Sequence, residues 1–251
     1  MKGWLKIVGL GPGDETLVTP QVQDALSKAS DVIGYYPYIA RVAEYPSLRL
    51  HSSDNRAELD RAKHALQLAL EGNKVVVVSS GDPGVFAMAA AVFEAIEKGP
   101  ENWRKIEIDV LPGITAMLAA AARVGAPLGH DFCTINLSDN LKPWEIIEKR
   151  LRLAAEADFA MAFYNPSSKS RPKGFEKALR ILNAVCKETT PVIFARAVSS
   201  SQENINVVPL TQATPQMADM RTIVIVGSSQ TRIIQRPDRS PFVYTPRFLS
   251  P

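Results

Sequence analysis

Short apolar, β-branched runs alternate along this chain with segments of helical length, and that alternation restricts the fold more than any other feature. The runs are "LKIVGL" (5–10), "DVIGY" (31–35), "KVVVVSS" (74–80), "IEIDVL" (106–111), "DFCTINL" (131–137), "DFAMAFY" (158–164), "PVIFARA" (191–197), "NINVVPL" (204–210) and "RTIVIVG" (221–227); each reads as a strand. The first helix signal is "TPQVQDALSKA" (19–29), with Thr19 as N-cap and Pro20 at the first helical position. The next runs from Ser53 or Asp54 to a stop at Gly72, and others cover 85–99, 114–125, 143–157 and 174–188. Strands alternating with such helices predict an α/β protein with a mainly parallel sheet covered on both faces. Only "TQATPQMADM" separates the last two strands, so the C-terminal half is expected to hold a mixed, partly antiparallel sheet. The Gly- and Pro-bearing segment "RVGAPLGHDF" (123–132) reads as the linker, dividing the chain into domains 1–125 and 126–251. After Val226 the Pro- and Arg-rich tail has no clear period and is expected to be an extended arm.

Composition removes several classes of function. The longest apolar stretches, "VVVV" and "MLAAAA", fall far short of the roughly 20 residues that cross a bilayer, so no membrane partner is expected. The apolar run in "MKGWLKIVGLGPG" is too short for a signal peptide core, and the mature chain is expected to begin at Met1. Cys133 and Cys186 lie far apart without a CxxC pairing, against a metal site or a disulfide framework and in keeping with a cytoplasmic location. A net charge of +3 is too small for a nucleic-acid partner but suits an anionic small molecule.

The segment "GLGPGDETLVTP" (9–20) invites a dinucleotide reading, which the residues oppose. A Rossmann fingerprint joins strand to helix directly and offers backbone N–H groups to pyrophosphate. Here Pro12 removes a donor, the helix waits until Thr19, and the second strand ends in tyrosines rather than an acid. A G-x-G-P-G turn instead brings rigid backbone against a flat, uncharged face. Two companion loops, "SSGDPGVF" (79–86) and "LPGITAM" (111–117), also follow strands, where open sheets bind their ligands.

Together, "VGLGPGD" (8–14), "SSGDPGVF" and "LPGITA" resemble the tetrapyrrole methyltransferase family. The resemblance implies two α/β domains with the active site in the cleft between them, a homodimer, S-adenosylmethionine as methyl donor and S-adenosylhomocysteine as product. More narrowly, "IGYYPYIARV" (33–42), "LGHDFCTINLSD" (128–139) and "FYNPSSKSRP" (163–172) look like the precorrin-3B C(17)-methyltransferases of cobalamin synthesis, which methylate carbon 17 and contract the macrocycle to precorrin-4. No cysteine-rich C-terminal extension is seen, which favours that enzyme over the homologue acting on a cobalt-containing substrate. By motif, the resemblance assigns Gly11, Pro12, Gly81, Asp82, Val85, Phe86, Ile114, Thr115 and Ala116 to the adenosylmethionine pocket. Tyr164, Asn165, Ala197 and Thr222 are its matches in the second half.

Ring contraction needs a general acid or base. Among three histidines, His64 falls in a charged helix and His51 at a strand end, whereas His130 lies in the linker; it is the first candidate, with Asp82 second and Asp131, Ser138 and Asp139 behind. Asp82 either faces the cofactor's positive charge or caps the helix expected near Val85. A polycarboxylate substrate calls for cations, for which Lys169, Arg171 and Arg196 follow second-half strands; Ser138 joins them as a substrate contact. The "YYPY" tyrosines suit either the macrocycle face or a dimer surface. The rival readings are another precorrin methylase, a non-catalytic tetrapyrrole carrier and a nicotinamide oxidoreductase.

Overall fold

A computed structural model describes residues 3–45, 47–54, 57–168 and 172–248. The chain divides into two compact units, Met1–Thr115 and Ala116–Pro251.

The first unit contains β1 (Trp4–Gly9), α1 (Pro20–Lys28), β2 (Asp31–Tyr35), α2 (Tyr36–Ala40), β3 (Arg49–Ser53), α3 (Glu58–Leu70), β4 (Lys74–Ser79), α4 (Met88–Lys98) and β5 (Glu107–Leu111). Its strands form one parallel sheet in the order β3-β2-β4-β1-β5. The unbroken "VVVV" of β4 reflects helices on both faces. Val75 and Val77 pack with Leu66, Met88 and Val92 from α3 and α4, while Val76 and Val78 pack with Val22, Leu26 and Ile39 from α1 and α2. As expected, Thr19 accepts from the Val22 N–H and Pro20 opens α1.

Strand β3, "RLHSS", carries no hydrophobic pattern and is not among the apolar runs, though His51 lies in a strand as expected; Ser53 ends it, and α3 starts later than the sequence suggests. Charge holds this edge. The fully buried Asp31 accepts from Arg49 Nη2 at 2.7 Å and from the Ser30 hydroxyl at 2.7 Å, and its other oxygen lies 2.8 Å from His51 Nε2. The exposed His64 ring meets His51 edge-on at 5.0 Å.

The second unit contains α5 (Ala116–Val124), β6 (Gly125–Ala126), β7 (Phe132–Asn136), α6 (Trp144–Glu156), β8 (Ala160–Tyr164), α7 (Gly174–Val185), β9 (Pro191–Arg196), β10 (Asn204–Pro209), β11 (Thr222–Val226), β12 (Arg232–Arg236) and β13 (Arg239–Tyr244). The main sheet, β10-β9-β11-β8-β7, is mixed: β7 and β8 are parallel and the other pairs antiparallel. Its core gathers Leu137, Ile147, Leu151, Phe163 and Leu182 around Phe175, whose ring meets Phe194 edge-on at 5.8 Å. Helix α5 packs on β11 and β13 and so belongs with this unit, ten residues earlier than the expected division at 125/126. The tail is not simply an arm: β12 and β13 form a hairpin, and β13 pairs with β6 inside the segment read as a linker. Burial of Val243 fixes that pairing.

Burial pushes the Asp31 carboxyl pKa up, but the hydrogen bonds from Arg49, His51 and Ser30 outweigh it and hold the group below its ordinary value. Its stabilisation is therefore present above the unfolded-state pKa of about 3.9 and lost as pH falls through the lower folded value. In urea titrations, Asp31→Asn is expected to be about 1–3 kcal/mol less stable than wild type at pH 7, with the gap closing as the pH is taken below about 4.

Candidate functional site

Strands β4, β1 and β5 are parallel neighbours, so the loops that leave their carboxyl ends emerge side by side. The loop after β1 is tied to the loop after β4 by backbone bonds in both directions. Gly11 N–H donates to Gly81 O at 3.2 Å, Gly81 N–H to Gly11 O at 2.9 Å, and Leu10 N–H to Ser79 O at 2.8 Å. Gly11 and Gly81 hold φ of +66° and +64°, a region glycine enters without strain. The loop after β5 crosses the same point. A Cβ on Gly113 would sit inside contact distance of Gly81 O and 2.7 Å from Gly9 O, and one on Gly9 would lie 2.8 Å from Gly113 N.

Asp82 closes this junction. One carboxylate oxygen accepts from Gly84 N–H at 2.8 Å and the other from Gly113 N–H at 3.1 Å. It does not cap a helix at Val85, because α4 begins at Met88 with Ala87 as its N-cap residue. Between them Phe86 adopts φ +53° and leaves its side chain half exposed. The structure thus brings Gly11, Pro12, Gly81, Asp82, Val85 and Phe86 into two linked loops, with Ile114 and the buried Thr115 following Gly113 in the third. The sequence reading passed over Arg41, whose guanidinium donates to Leu10, Gly11 and Gly13 carbonyls, and the glycines at 9 and 113.

In the second unit the remaining candidates also lie at strand ends. Tyr164 closes β8, and its hydroxyl accepts from Met117 N–H at 3.2 Å in the first turn of α5, beside Ala116. Asn165 (φ +52°) donates to Asn136 Oδ1, which also accepts from Ser138 N–H. Ala197 (φ +49°) follows β9 and bonds to Arg221 O, next to Thr222 at the start of the antiparallel β11. Here Arg196 Nε donates to Asp219 at 2.8 Å and the Thr222 hydroxyl donates to the same carboxylate at 2.8 Å. Burial raises the Asp219 pKa, and these bonds with that from Arg221 N–H bring it net below the usual range. Arg196 is therefore oriented by a carboxylate. His130 is partly exposed, with Nδ1 3.8 Å from Asp131. Lys169 and Arg171 lie outside the described residues. Burial raises both cysteine thiols, Cys133 and Cys186, keeping them protonated.

A doubly covered parallel sheet with glycine-built loops at its carboxyl edge, the edge at which open α/β sheets bind ligands, followed by a mixed-sheet α/β unit, defines a two-unit α/β protein. Residues 5–214 match the profile of the Tetrapyrrole (Corrin/Porphyrin) Methylases, and the chain belongs to that family. It is 54% identical to a precorrin-3B C(17)-methyltransferase from Sinorhizobium sp over 99% of this chain and 98% of that protein. It is 39% identical to a cobalt-factor III methyltransferase from Priestia megaterium, over 92% of this chain but only 43% of that longer protein. The crystal structure of the methyltransferase CobJ superposes with a TM-score of 0.92 at 62% identity, covering 97% of this chain and all (100%) of that one.

The junction leaves no room for a side chain at its centre. Gly113→Ala is expected to lower stability by about 1–3 kcal/mol through forced backbone shifts and to accelerate hydrogen exchange at the Gly11 and Gly81 amides, measured by urea titration and exchange NMR.

Proposed function

We propose that this chain is an S-adenosylmethionine-dependent methyltransferase that methylates carbon 17 of precorrin-3B and contracts the macrocycle to precorrin-4. The observation that carries this reading is the end-to-end identity of 54% to a precorrin-3B C(17)-methyltransferase. The lower identity of 39% to the cobalt-factor III enzyme favours the metal-free substrate.

The loop junction fits an adenosyl group in its chemistry. The carbonyls of Leu10 and Gly11 and the N–H groups of Leu10, Gly11 and Gly81 are bonded within the protein, which presents a surface suited to a flat, neutral ring. Gly11, Pro12, Gly81, Asp82, Val85, Phe86, Ile114, Thr115 and Ala116 would hold the cofactor, with Tyr164, Asn165, Ala197 and Thr222. When bound, it supplies an electrophilic methyl on a sulfonium. Such a transfer needs alignment above all, which fixed loops provide; positioning is worth up to about 7–11 kcal/mol in favourable cases. Arg196 and Ser138 would meet the substrate's carboxylates and polar groups, the role the resemblance also assigns to Lys169 and Arg171. Ring contraction adds a proton transfer, assigned to His130, whose side chain is 31% exposed and so reachable. We assign the protein to the cytoplasm and, by family, to a homodimer.

The test is incubation of the purified protein with precorrin-3B and methyl-labelled S-adenosylmethionine, following label, mass and absorbance. Label at carbon 17 in a contracted pigment is expected. Label accepted from cobalt-factor III but not precorrin-3B would transfer the assignment to the cobalt pathway, and pigment binding independent of adenosylmethionine would indicate a carrier. His130→Ala is expected to slow turnover by roughly 10²–10⁴-fold while S-adenosylhomocysteine affinity, measured calorimetrically, stays unchanged.

A further inference from the structure

We propose that Arg41 is a positioning residue for the cofactor: its forked guanidinium fixes the carbonyls of the Leu10–Gly13 loop on which adenosylmethionine rests. This rests on the methyltransferase reading above.

Arg41 is the C-cap residue of α2, the short helix that follows β2. Its Nη1 donates to Gly11 O at 3.1 Å, and its Nη2 to Leu10 O at 2.5 Å and Gly13 O at 3.2 Å. In the segment Gly11-Pro12-Gly13 the glycines have no side chain and the half-buried Pro12 none that can hydrogen-bond. A cavity of about 310 Å³ lies alongside, lined by Leu10, Val18, Leu26, Arg41, Val42 and Tyr45 among others; Leu10 is buried in the core, but the glycines that follow it add no packing. Backbone bonds to Ser79 and Gly81 hold the loop on the β4 side, and three charge-assisted bonds from one planar group hold its carbonyls on the other.

The guanidinium has little else to do. Among the described residues no carboxylate lies within ion-pair distance of it; Glu15 is the acidic group that favours its charge, while burial pulls its pKa down. A partly buried cation whose counter-charge is three carbonyl dipoles holds those carbonyls firmly, because releasing them would leave the charge unpartnered. The effect reaches further than the loop itself. Gly11 O accepts from both Arg41 and Gly81 N–H, and Asp82, next to Gly81, bonds Gly113 N–H. Fixing residues 10–13 therefore sets the register of all three loops. Lysine reaches as far but offers a point charge in place of a fork.

Arg41→Ala and Arg41→Lys are compared with wild type by calorimetric titration with S-adenosylhomocysteine, by thermal unfolding and by steady-state kinetics. Arg41→Ala is expected to bind at least about tenfold more weakly, and Arg41→Lys to fall between it and wild type, a tenfold loss being about 1.4 kcal/mol. KM for adenosylmethionine rises while KM for the tetrapyrrole is unchanged, and added guanidinium ion restores part of the affinity of Arg41→Ala. Should Arg41→Ala fail to fold, Arg41→Lys carries the same KM split. Wild-type affinity in both variants overturns the inference and leaves the methyltransferase reading intact. Equal weakening toward both substrates, without guanidinium rescue, reduces Arg41 to a structural role and also overturns it. Absence of S-adenosylhomocysteine binding by the wild-type protein overturns the methyltransferase reading itself.

Discussion

The carbonyl of Gly81 is the point on which the carboxyl edge of the first unit's sheet is organised. It accepts the Gly11 N–H, and it sits so close to the α-carbons of Gly9 and Gly113 that neither tolerates a Cβ. Three loops leaving three neighbouring strands are thereby stacked on one peptide group. The sheet order β4-β1-β5 is what makes this possible, since parallel strands deliver their carboxyl ends to the same edge. Asp82 adds the lateral tie to Gly113, and Arg41 the tie to the first loop from the other side. Both oxygens of Asp82 are engaged in these bonds, so its first task is to hold loops in register. Loops tied in this way are held in one arrangement by the protein itself.

Backbone strain marks the same regions. Non-glycine residues at positive φ include Phe86, Asn165 and Ala197, all at positions assigned to the cofactor by motif. Such conformations cost on the order of 1–3 kcal/mol each and persist only where surrounding structure fixes them. The surroundings are identifiable: Asn165 is held by Asn136, and Ala197 by the carbonyl of Arg221. The second unit places Asn165 and Ala197 just beyond fully buried strand segments, Ala160–Phe163 and Val192–Ala195, with exposures of no more than 3%. Rigid strands carrying strained ends are a plain way of fixing side-chain direction without a long loop.

How much of this is legible in the sequence depends on whether the cause is local. The apolar runs and the Thr19-Pro20 helix start are local, and they yield the α/β architecture and the mixed second sheet directly. The polar strand Arg49–Ser53 is invisible to periodicity because a buried carboxylate from a neighbouring strand, Asp31, holds it in place. The hairpin Arg232–Tyr244 escapes because its pattern is broken by Pro241 and by exposed Ile233 and Ile234, and the pairing that secures it reaches back to Gly125. Helix Ala116–Val124 is alanine-rich on every side, so nothing local states which unit it joins. Arg41 lies within a stretch that carried the family resemblance, yet its role needs three carbonyls some thirty residues upstream.

The first loop also shows why glycine content alone does not define a phosphate site. Phosphate binding needs free N–H groups converging near a helix N-terminus. In this loop Leu10 N–H is given to Ser79, Gly11 N–H to Gly81, and Pro12 has none. The chain then makes a short turn at Glu15–Leu17, capped by Asp14, before α1 starts at Pro20. That displaces the helix dipole from the glycines. Meanwhile a cation binds the carbonyls rather than leaving positive charge for a ligand anion. Composition close to that of a dinucleotide loop thus yields a turn in which the Leu10 and Gly11 donors are already paired and Pro12 has none. The neighbouring loop takes the donors, and an arginine outside the motif takes the carbonyls.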